Sequence, residues 1–280
     1  MRPRPTNMSR CEVSRLTTPD GIGIAVRDSG PADGPEIVFI HGFSMGQLCW
    51  MKQVDSELAE HFRLITYDLR GHGASDKPLE PIFYRDGRRW ADVLAAVLDH
   101  ARVRRPVLVA WSYGVRIVAD YLAHYGSERV AGLNLVGSRT NSDPAFTHSA
   151  VAEHQRGMAC EDLAANIRHT IAFVEGCART WDPQIFRTCL AMSMVVPPGV
   201  RAALMGRPLD IDDRFRSIAF PVHFSHGRFD GIIPLAAAEH GHAMTPGSTL
   251  SVFAGSGHSP FIEEPGRFNR ELGDFALRCR

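Results

Sequence analysis

The sequence has no excess of charge of either sign and no long apolar run. Its 280 residues include 31 Lys and Arg against 31 Asp and Glu, so the formal net charge is zero. This balance gives no reason to expect nucleic acid or an anionic membrane as a partner. No apolar run approaches the ~18 residues of a transmembrane helix, so no membrane span is predicted. The 13 histidines lack the spacing of metal ligands, and we expect no metal ion.

Cysteine is also scarce, and no two cysteines form a Cys-x-x-Cys pair. Six cysteines in a chain of 280 residues do not make a disulfide-dense scaffold. This favours reduced thiols and a cytoplasmic protein. The first ten residues, MRPRPTNMSR, are basic and proline-containing, but they lack the apolar core of a secretory signal. We expect residues 1–10 to form a disordered tip.

Short apolar runs alternate with stretches of helical periodicity over most of the chain. Such alternation predicts an α/β fold, in which a mostly parallel sheet is covered by helices on both faces. The predicted strands are 36–40, 62–68, 106–111, 130–137, 221–227 and 248–259. Helical spacing covers 48–61, 90–101 and 263–278, among others. A turn signal at Pro19-Asp20-Gly21 predicts a hairpin before the first of these strands.

The alternation stops between about residues 138 and 214, which have a helical pattern and no clear strand. We therefore predict an α/β core formed by residues 11–137 and 215–280, with a helical cap formed by residues 138–214. The cap contains Met158, Phe173, Trp181, Met192 and Met194. Such residues are typical of a helix core, and they also predict an apolar, adaptable roof.

One serine interrupts the pattern abruptly. Ser112 stands where the strand at 106–111 must turn sharply into a helix, and the small residues Ala110 and Gly114 lie two places to either side. So tight a turn needs small neighbours, and the helix N-terminus that follows offers free N–H groups to a developing oxyanion. The pattern is that of the nucleophile elbow, Gly-x-Ser-x-Gly, with alanine in its first place.

Two further polar residues follow the last two predicted strands. Asp230 comes just after the strand at 221–227, and His258 lies near the end of 248–259. Since ligands bind beyond the carboxyl ends of parallel strands, we expect Ser112, Asp230 and His258 to lie on the same side of the sheet. A nucleophilic serine needs a base, and the base needs a carboxylate to orient it.

With these residues in this order, the sequence resembles the α/β-hydrolase fold superfamily over nearly its whole length, as a serine esterase with a helical cap. The resemblance is carried by HGF at 41–43, YDLRGHGASDKP at 67–78, the serine elbow, GRFDGIIP at 227–234 and GHSPFIEEP at 257–265. It implies Ser112 as nucleophile, His258 as general base and Asp230 as its orienting carboxylate. It also implies an oxyanion hole formed by the backbone N–H groups of Phe43 and Tyr113, and no cofactor.

Other polar residues near the strand ends are given structural roles. We expect Asp68 to shape a turn and to pair with Arg70, and His41 to orient the oxyanion loop by hydrogen bonds. His72 and His226 are predicted to be loop residues whose rings are satisfied by backbone groups.

The substrate pocket is the least determined part of the predicted site. Trp111, Phe43 and Met192 are candidates to line it, although Trp111 and Phe43 serve equally well as core aromatics. Val115 stands where many members of the superfamily have a second glycine, and Arg116 follows it. Neither departure removes a catalytic group. Glutamates 263 and 264 are predicted to serve the first turn of the last helix.

A serine at the nucleophile position argues against haloalkane dehalogenase and epoxide hydrolase chemistry, for which relatives use an aspartate there. The predicted cap also lacks tyrosine. The resemblance therefore implies an enzyme that hydrolyses carboxylic esters, or lactones, of a small and partly apolar molecule through an acyl-enzyme. Two alternatives stay open: a C–C bond hydrolase of ring-fission diketones, and a non-catalytic module that binds a small ligand. The oligomeric state is open too, a homo-oligomer included.

Overall fold

One eight-stranded sheet organises the computed structural model, which describes residues 11–279. The tip predicted for residues 1–10 lies outside the described residues. The strands are β1 (Cys11–Thr17), β2 (Gly23–Ser29), β3 (Glu36–Ile40), β4 (Arg63–Tyr67), β5 (Val107–Trp111), β6 (Gly132–Val136), β7 (Val222–Gly227) and β8 (Thr249–Phe253). The sequence patterns located all of these strands, with ends that differ by a few residues.

The spatial order of the strands is β1-β2-β4-β3-β5-β6-β7-β8. β1 and β2 form the predicted antiparallel hairpin, and β2 also runs antiparallel to β4. All pairs from β4 to β8 are parallel. The chain order reverses between β3 and β5, which lie side by side at the centre. In such sheets the reversal opens a crevice at the carboxyl ends of the two strands, and that crevice is where ligands bind.

Helices cover the sheet and build the segment between β6 and β7. Within residues 11–279 they are α1 (Met51–Val54), α2 (Leu58–His61), α3 (Ile82–Arg85), α4 (Gly87–His100), α5 (Gly114–Tyr125), α6 (Ser149–Met158), α7 (Leu163–Gly176), α8 (Pro183–Met194), α9 (Pro198–Leu204), α10 (Asp212–Arg216), α11 (Leu235–Met244), α12 (Pro260–Glu263) and α13 (Pro265–Arg278). Several begin at an aspartate whose carboxylate accepts early backbone N–H groups. Asp182 does so from Gln184 and Ile185, at 2.9 and 3.1 Å.

The helix predicted over 48–61 is broken. It consists of a 3₁₀ turn (Gln47–Trp50) followed by α1 and α2. The break lies at Ser56, whose hydroxyl donates to the carbonyl of Gln53 (2.7 Å) and accepts the N–H of Leu58 (3.2 Å). A serine side chain that bonds to nearby backbone groups in this way competes with the helix ladder. The sequence periodicity was therefore right about the buried face and wrong about continuity.

The last predicted helix, 263–278, begins differently in the structure. It is preceded by the short α12, and Glu264 interrupts the two with φ −124° and ψ 54°. Pro265 follows directly, and a proline ring disfavours helical backbone in the residue before it. This interruption frees the side chains at 263 and 264 for contacts away from α13.

Five helices, α6 to α10, lie between β6 and β7 in the region predicted as a cap. The two ends of this segment meet, because Asn141 forms an isolated antiparallel bridge with Asp210. The N–H of Ile211 also donates to the carbonyl of Thr140 at 2.9 Å. The segment therefore leaves and rejoins the sheet at the carboxyl end of β6. No helix among residues 11–279 is long and apolar enough to cross a membrane.

Candidate active site

Ser112 lies at a strained turn between β5 and α5. Its φ is +53°, in the left-handed region that non-glycine residues rarely occupy. Its N–H donates to the carbonyl of Val136 at 2.9 Å, which fixes the turn against the end of β6. A Cβ added to Gly114 would lie 2.7 Å from the carbonyl oxygen of Ile40. The small residue predicted two places after Ser112 is therefore needed because the backbones of α5 and β3 touch there.

The loop after β3 places a second backbone segment beside Ser112. A Cβ on Gly42 would come within 3.2 Å of the Cβ of Ser112. His41 holds this loop as expected, since its Nε2 accepts the N–H of Leu69 (2.9 Å) and its Nδ1 donates to the carbonyl of Gly42 (2.9 Å). Within residues 11–279, the backbone N–H groups of Phe43 and Tyr113 have no hydrogen-bond acceptor. Two free donors therefore flank the serine.

His258 and Asp230 form a buried pair next to the elbow. The Nδ1 of His258 donates to Oδ2 of Asp230 at 2.8 Å, while Oδ1 accepts the N–H groups of Ile232 and Ile233 at 2.8 and 2.9 Å. With the proton on Nδ1, the other ring nitrogen of His258 is left as a base. The ring lies against Gly137, where a Cβ would come within 2.9 Å of Nδ1.

Asp230 keeps its negative charge despite complete burial. Burial alone would raise its pKa, but the charges and hydrogen bonds of two histidines, His258 and His226, outweigh that effect and hold the pKa of the carboxyl well below its usual value. The carboxylate therefore orients the His258 ring and stabilises a positive charge on it across the neutral pH range.

The prediction for His226 was wrong. This residue is in strand β7, not in a loop, and it is fully buried. Its Nε2 lies 2.9 Å from the carbonyl of Ile233 and 3.1 Å from Oδ2 of Asp230. Only the first of these partners is a backbone group. His226 thus contacts the same carboxylate oxygen as His258.

The predicted pairing of Asp68 with Arg70 was also wrong. The guanidinium of Arg70 instead pairs with the carboxylate of Asp20 at 2.8 Å. The carboxylate of Asp68 instead accepts the N–H of Gln47 (2.7 Å), the side-chain amide of Gln47 (3.0 Å) and the N–H of Ala74 (3.0 Å). Asp68 thus shapes its turn, as expected, but through backbone donors that only the folded chain supplies. His72 lies in a loop, as predicted, and its Nδ1 lies 2.9 Å from the carbonyl of Arg70, but its buried Nε2 has no hydrogen-bond partner among residues 11–279.

Glu263 and Glu264 do not serve the first turn of the last helix. Glu263 accepts the N–H groups of Gly257 (2.9 Å), Arg179 (2.8 Å) and Thr180 (3.2 Å). Burial raises its pKa, against the effect of these backbone donors. Glu264 accepts from the loop just before His258. Both glutamates therefore hold residues 255–257, the loop just before His258, and Glu263 also connects that loop to the segment between α7 and α8.

A cavity of about 140 Å³ opens beside Ser112. Its volume is close to that of dry protein cavities that hold a benzene-sized molecule. Apolar side chains form much of its wall, from loops that follow β3 and β7 and from helices between β6 and β7: Phe43, Val151, Phe173, Leu204, Ile232 and Ile233. Two arginines, Arg116 and Arg139, also line it.

Of the three predicted pocket residues, only Phe43 lies on the cavity wall. Trp111 is buried against His258 instead: its Nε1 donates to the backbone carbonyl of His258 at 3.0 Å, and its ring packs on the His258 imidazole. The Met192 sulfur lies against Gly46 instead. Neither arginine was predicted as a pocket residue, although two signals were present: Arg116 is a charge in the first turn of the helix after Ser112, and Arg139 follows closely after β6.

An open, mostly parallel sheet with a serine at a strained strand–helix turn, and with a histidine–aspartate pair beside it, defines an α/β hydrolase. Residues 37–271 match the profile of the alpha/beta hydrolase family, and the chain belongs to that family. Among residues 11–279, no group of His, Cys, Asp and Glu side chains is arranged to hold a metal ion.

Several similar proteins are named as esterases. An esterase from Rhodococcus sp. ECU1013 is 34% identical with a TM-score of 0.88, over 96% of this chain and 99% of that chain. An esterase from Exiguobacterium antarcticum is 25% identical with a TM-score of 0.82, over 95% of this chain and 100% of that one. A pimeloyl-[acyl-carrier protein] methyl ester esterase from Vibrio cholerae is 27% identical over 88% of this chain and 95% of its own length. The chain is an enzyme of the carboxylic ester hydrolase type.

Proposed function

We propose that the protein hydrolyses the ester bond of a small carboxylic ester, with Ser112 as nucleophile, His258 as general base and Asp230 as the carboxylate that orients it. The observation that carries this proposal is the hydrogen bond between His258 and Asp230 beside a serine held at φ +53°. A serine at such a turn exposes its hydroxyl, and the histidine supplies the base that a serine lacks at its own pKa.

In the first half of the proposed reaction, Ser112 Oγ attacks the ester carbonyl carbon while His258 Nε2 takes the hydroxyl proton. The carbonyl oxygen becomes an oxyanion, which accepts the free N–H groups of Phe43 and Tyr113. Loss of one such donor typically costs about 3 kcal/mol of transition-state stabilisation. Collapse of the intermediate breaks the C–O bond, and the alcohol leaves with the proton from His258.

In the second half, water attacks the acyl-enzyme. His258 removes a proton from the water, the same N–H groups hold the second oxyanion, and Ser112 leaves with the proton returned by the imidazolium. The products are a carboxylic acid and an alcohol. Asp230 stays ionised throughout, because its low pKa keeps its proton off, and it stabilises the imidazolium that forms in each half.

The cavity favours a small substrate. A volume of about 140 Å³ bounded by Phe43, Phe173 and Ile232 suits a short, partly apolar acyl or alcohol group. The similar proteins named as esterases support ester hydrolysis in particular. A lactone is a cyclic ester and would pass through the same steps.

The test is a comparison of Ser112→Ala with the wild-type protein on a short-chain p-nitrophenyl ester. We expect the variant to lose at least about a thousandfold in kcat, because the attacking group is gone. The same wild-type protein should react with a fluorophosphonate probe at Ser112, as located by peptide mass spectrometry. Ser217→Ala, at an exposed serine after α10, is the matched control and should keep full turnover.

Two outcomes would contradict the proposal. If Ser112→Ala kept wild-type turnover, the nucleophile would be another group. If the folded wild-type protein neither turned over esters nor reacted with the probe, a module that binds a small ligand would be the better interpretation. Turnover of ring-fission diketones with little ester hydrolysis would instead favour cleavage of a C–C bond.

A further inference from the structure

Arg116 and Arg139 give the cavity beside Ser112 a charge that ester hydrolysis does not need. Both side chains line the cavity, and no aspartate or glutamate does. Arg116 lies in the first turn of α5, four residues after Ser112, and Arg139 follows the carboxyl end of β6. The two positive charges therefore come from the two elements that meet at the elbow.

The hydrogen bonding of Arg116 is incomplete. Its Nη1 is buried, and among residues 11–279 it has no hydrogen-bond partner. The guanidinium stacks over the ring of Tyr113, 5.7 Å from its centre. Asp120 is the nearest acidic neighbour along α5, but its carboxylate is paired with Arg207 at 2.5 Å. A buried donor without an acceptor is unfavourable, and it is rare in folded proteins unless a ligand completes it.

Arg139 forms no ion pair among the described residues; burial lowers its pKa, and the charge of Asp143 only partly opposes this effect. Its Nη1 donates to Thr147 Oγ1 at 2.5 Å and lies 3.5 Å from the carbonyl of Asp143. These are neutral acceptors. Burial, together with the nearby charge of Arg139, lowers the pKa of Arg116 to about 10, so both groups are still cations at neutral pH. Two cations that face one small cavity repel each other unless an anion lies between them.

Other buried arginines among residues 11–279 have oxygen partners, although the Nε of Arg70 is also buried without one. Arg70 pairs with Asp20, and Arg207 pairs with Asp120. Arg201 has no carboxylate but donates to oxygen atoms with all three of its nitrogens. Unlike these three arginines, Arg116 lines the cavity that contains Ser112.

We infer that the cavity recognises an ester that also carries a carboxylate, and that Arg116 and Arg139 bind this carboxylate while the ester carbonyl lies at Ser112. The inference rests on the proposed function of Ser112. A planar guanidinium donates two parallel hydrogen bonds to a carboxylate, which fixes the position of the ligand as well as its charge. The small cavity limits the spacer between the two groups to a short chain, as in the half-esters of short dicarboxylic acids.

The experiment compares two esters of the same shape. One is monomethyl glutarate, and the other is the methyl ester in which an isopropyl group replaces the carboxylate. Hydrolysis is followed by pH-stat, and the readout is the ratio of kcat/KM for the anionic over the neutral ester. We expect a ratio above one for the wild-type protein, and a decrease of about tenfold to a hundredfold in Arg116→Gln, since a charge-assisted hydrogen bond contributes that much.

Arg139→Gln should lower the ratio in the same direction. Arg187→Gln is the matched control, because Arg187 is an exposed arginine on α8 that is not part of the cavity wall, and it should leave the ratio unchanged. The isomeric acetate ester of γ-hydroxybutyrate carries its carboxylate on the alcohol side. A preference for one isomer shows which side of the ester the arginines recognise. The inference is overturned if the wild-type ratio is below one, or if neither arginine substitution changes it.

Binding to Ser112→Ala separates this inference from the proposed function. Calorimetric binding of monomethyl glutarate to this variant, lost when Arg116→Gln is added, supports the carboxylate site even if the wild-type protein hydrolyses no ester. No binding to Ser112→Ala, in a protein whose wild type does hydrolyse neutral esters, overturns the inference and leaves the proposed function intact.

Discussion

Replacement of Arg201 by methionine tests whether the cap and the oxyanion loop are held together by one buried cation. Arg201, on α9, is almost completely inaccessible to solvent. Its Nε donates to Ser44 Oγ (3.0 Å), and its Nη1 donates to the carbonyl of Met158 (2.7 Å) and to Asn166 Oδ1 (3.0 Å). Its Nη2 donates to the carbonyl of Ser193. The guanidinium of Arg201 thus connects helices α6 to α9 with Ser44, the residue after Phe43.

Two opposing contributions determine the expected loss of stability. Burial lowers the pKa of Arg201 from 12.5 to about 10, so the folded state already bears a desolvation cost of about 3 kcal/mol, which methionine would remove. Against this, each buried oxygen left without a donor costs about 1–3 kcal/mol. Five oxygens lose this donor, the four named above and Thr170 Oγ1, and several of them keep another partner, so the low end of this cost applies to each. After the gain from methionine is subtracted, we expect Arg201→Met to lower the free energy of unfolding by about 2 kcal/mol.

The assay is urea denaturation followed by circular dichroism, together with esterase kinetics. Ser44 has a φ of +55° next to Phe43, so loss of the bond from Arg201 should lower kcat more than it raises KM. Arg201→Lys, which keeps the charge but not the planar fork, should lie between wild type and Arg201→Met. Arg187→Met, at an exposed cap position, should shift stability by no more than about 0.5 kcal/mol. An unchanged urea midpoint for Arg201→Met would refute the reasoning.

Two further predictions concern β7. Gly227→Ala should reduce both thermal stability and kcat, because the new Cβ would lie 1.8 Å from the carbonyl oxygen of Gly257, next to His258. Gly199→Ala is the control, since a Cβ at this position of α9 would have no atom within 4 Å, and it should leave kcat unchanged in the same assays. Burial lowers the pKa of His223 from 6.5 to about 4, so between these values the unfolded chain binds a proton that the folded chain does not. The free energy of unfolding should therefore fall by about 3 kcal/mol as the pH falls through this window. His223→Asn should remove that decrease in urea titrations. An equal pH dependence in the wild-type and variant proteins would exclude His223 as its cause.

The residues that could be predicted from the sequence share one property: each is fixed by local pattern and by strand order. Ser112, Asp230 and His258 each follow a strand of the sheet, and parallel strands bring their carboxyl ends to one edge of the sheet. Phe43 could be found in the same way, from its place after β3. The position of a strand, and the residue that follows it, can be predicted without knowing how side chains pack in the folded chain.

What the sequence could not provide depends on contacts between distant segments. Arg70 pairs with Asp20 rather than with its neighbour Asp68, because folding brings backbone donors to Asp68 and leaves no need for a cation there. Arg116 becomes a cavity residue only because cap helices close over the first turn of α5. The sequence shows which residues are charged. It does not show which charged side chains are left without a partner in the folded protein.

The contacts of the segment between β6 and β7, predicted as a cap, indicate that it does more than line the cavity beside Ser112. Arg201 reaches from the cap to Ser44, beside one predicted oxyanion donor, and Glu263 accepts cap N–H groups while it also holds Gly257, beside His258. The cap is therefore anchored to both loops that flank Ser112. Because catalytic geometry tolerates little displacement, a change in this segment that loosens either anchor would displace a group of the proposed catalytic site. Cap substitutions at the cavity wall should alter selectivity, whereas those at the two anchors should alter kcat for every ester alike.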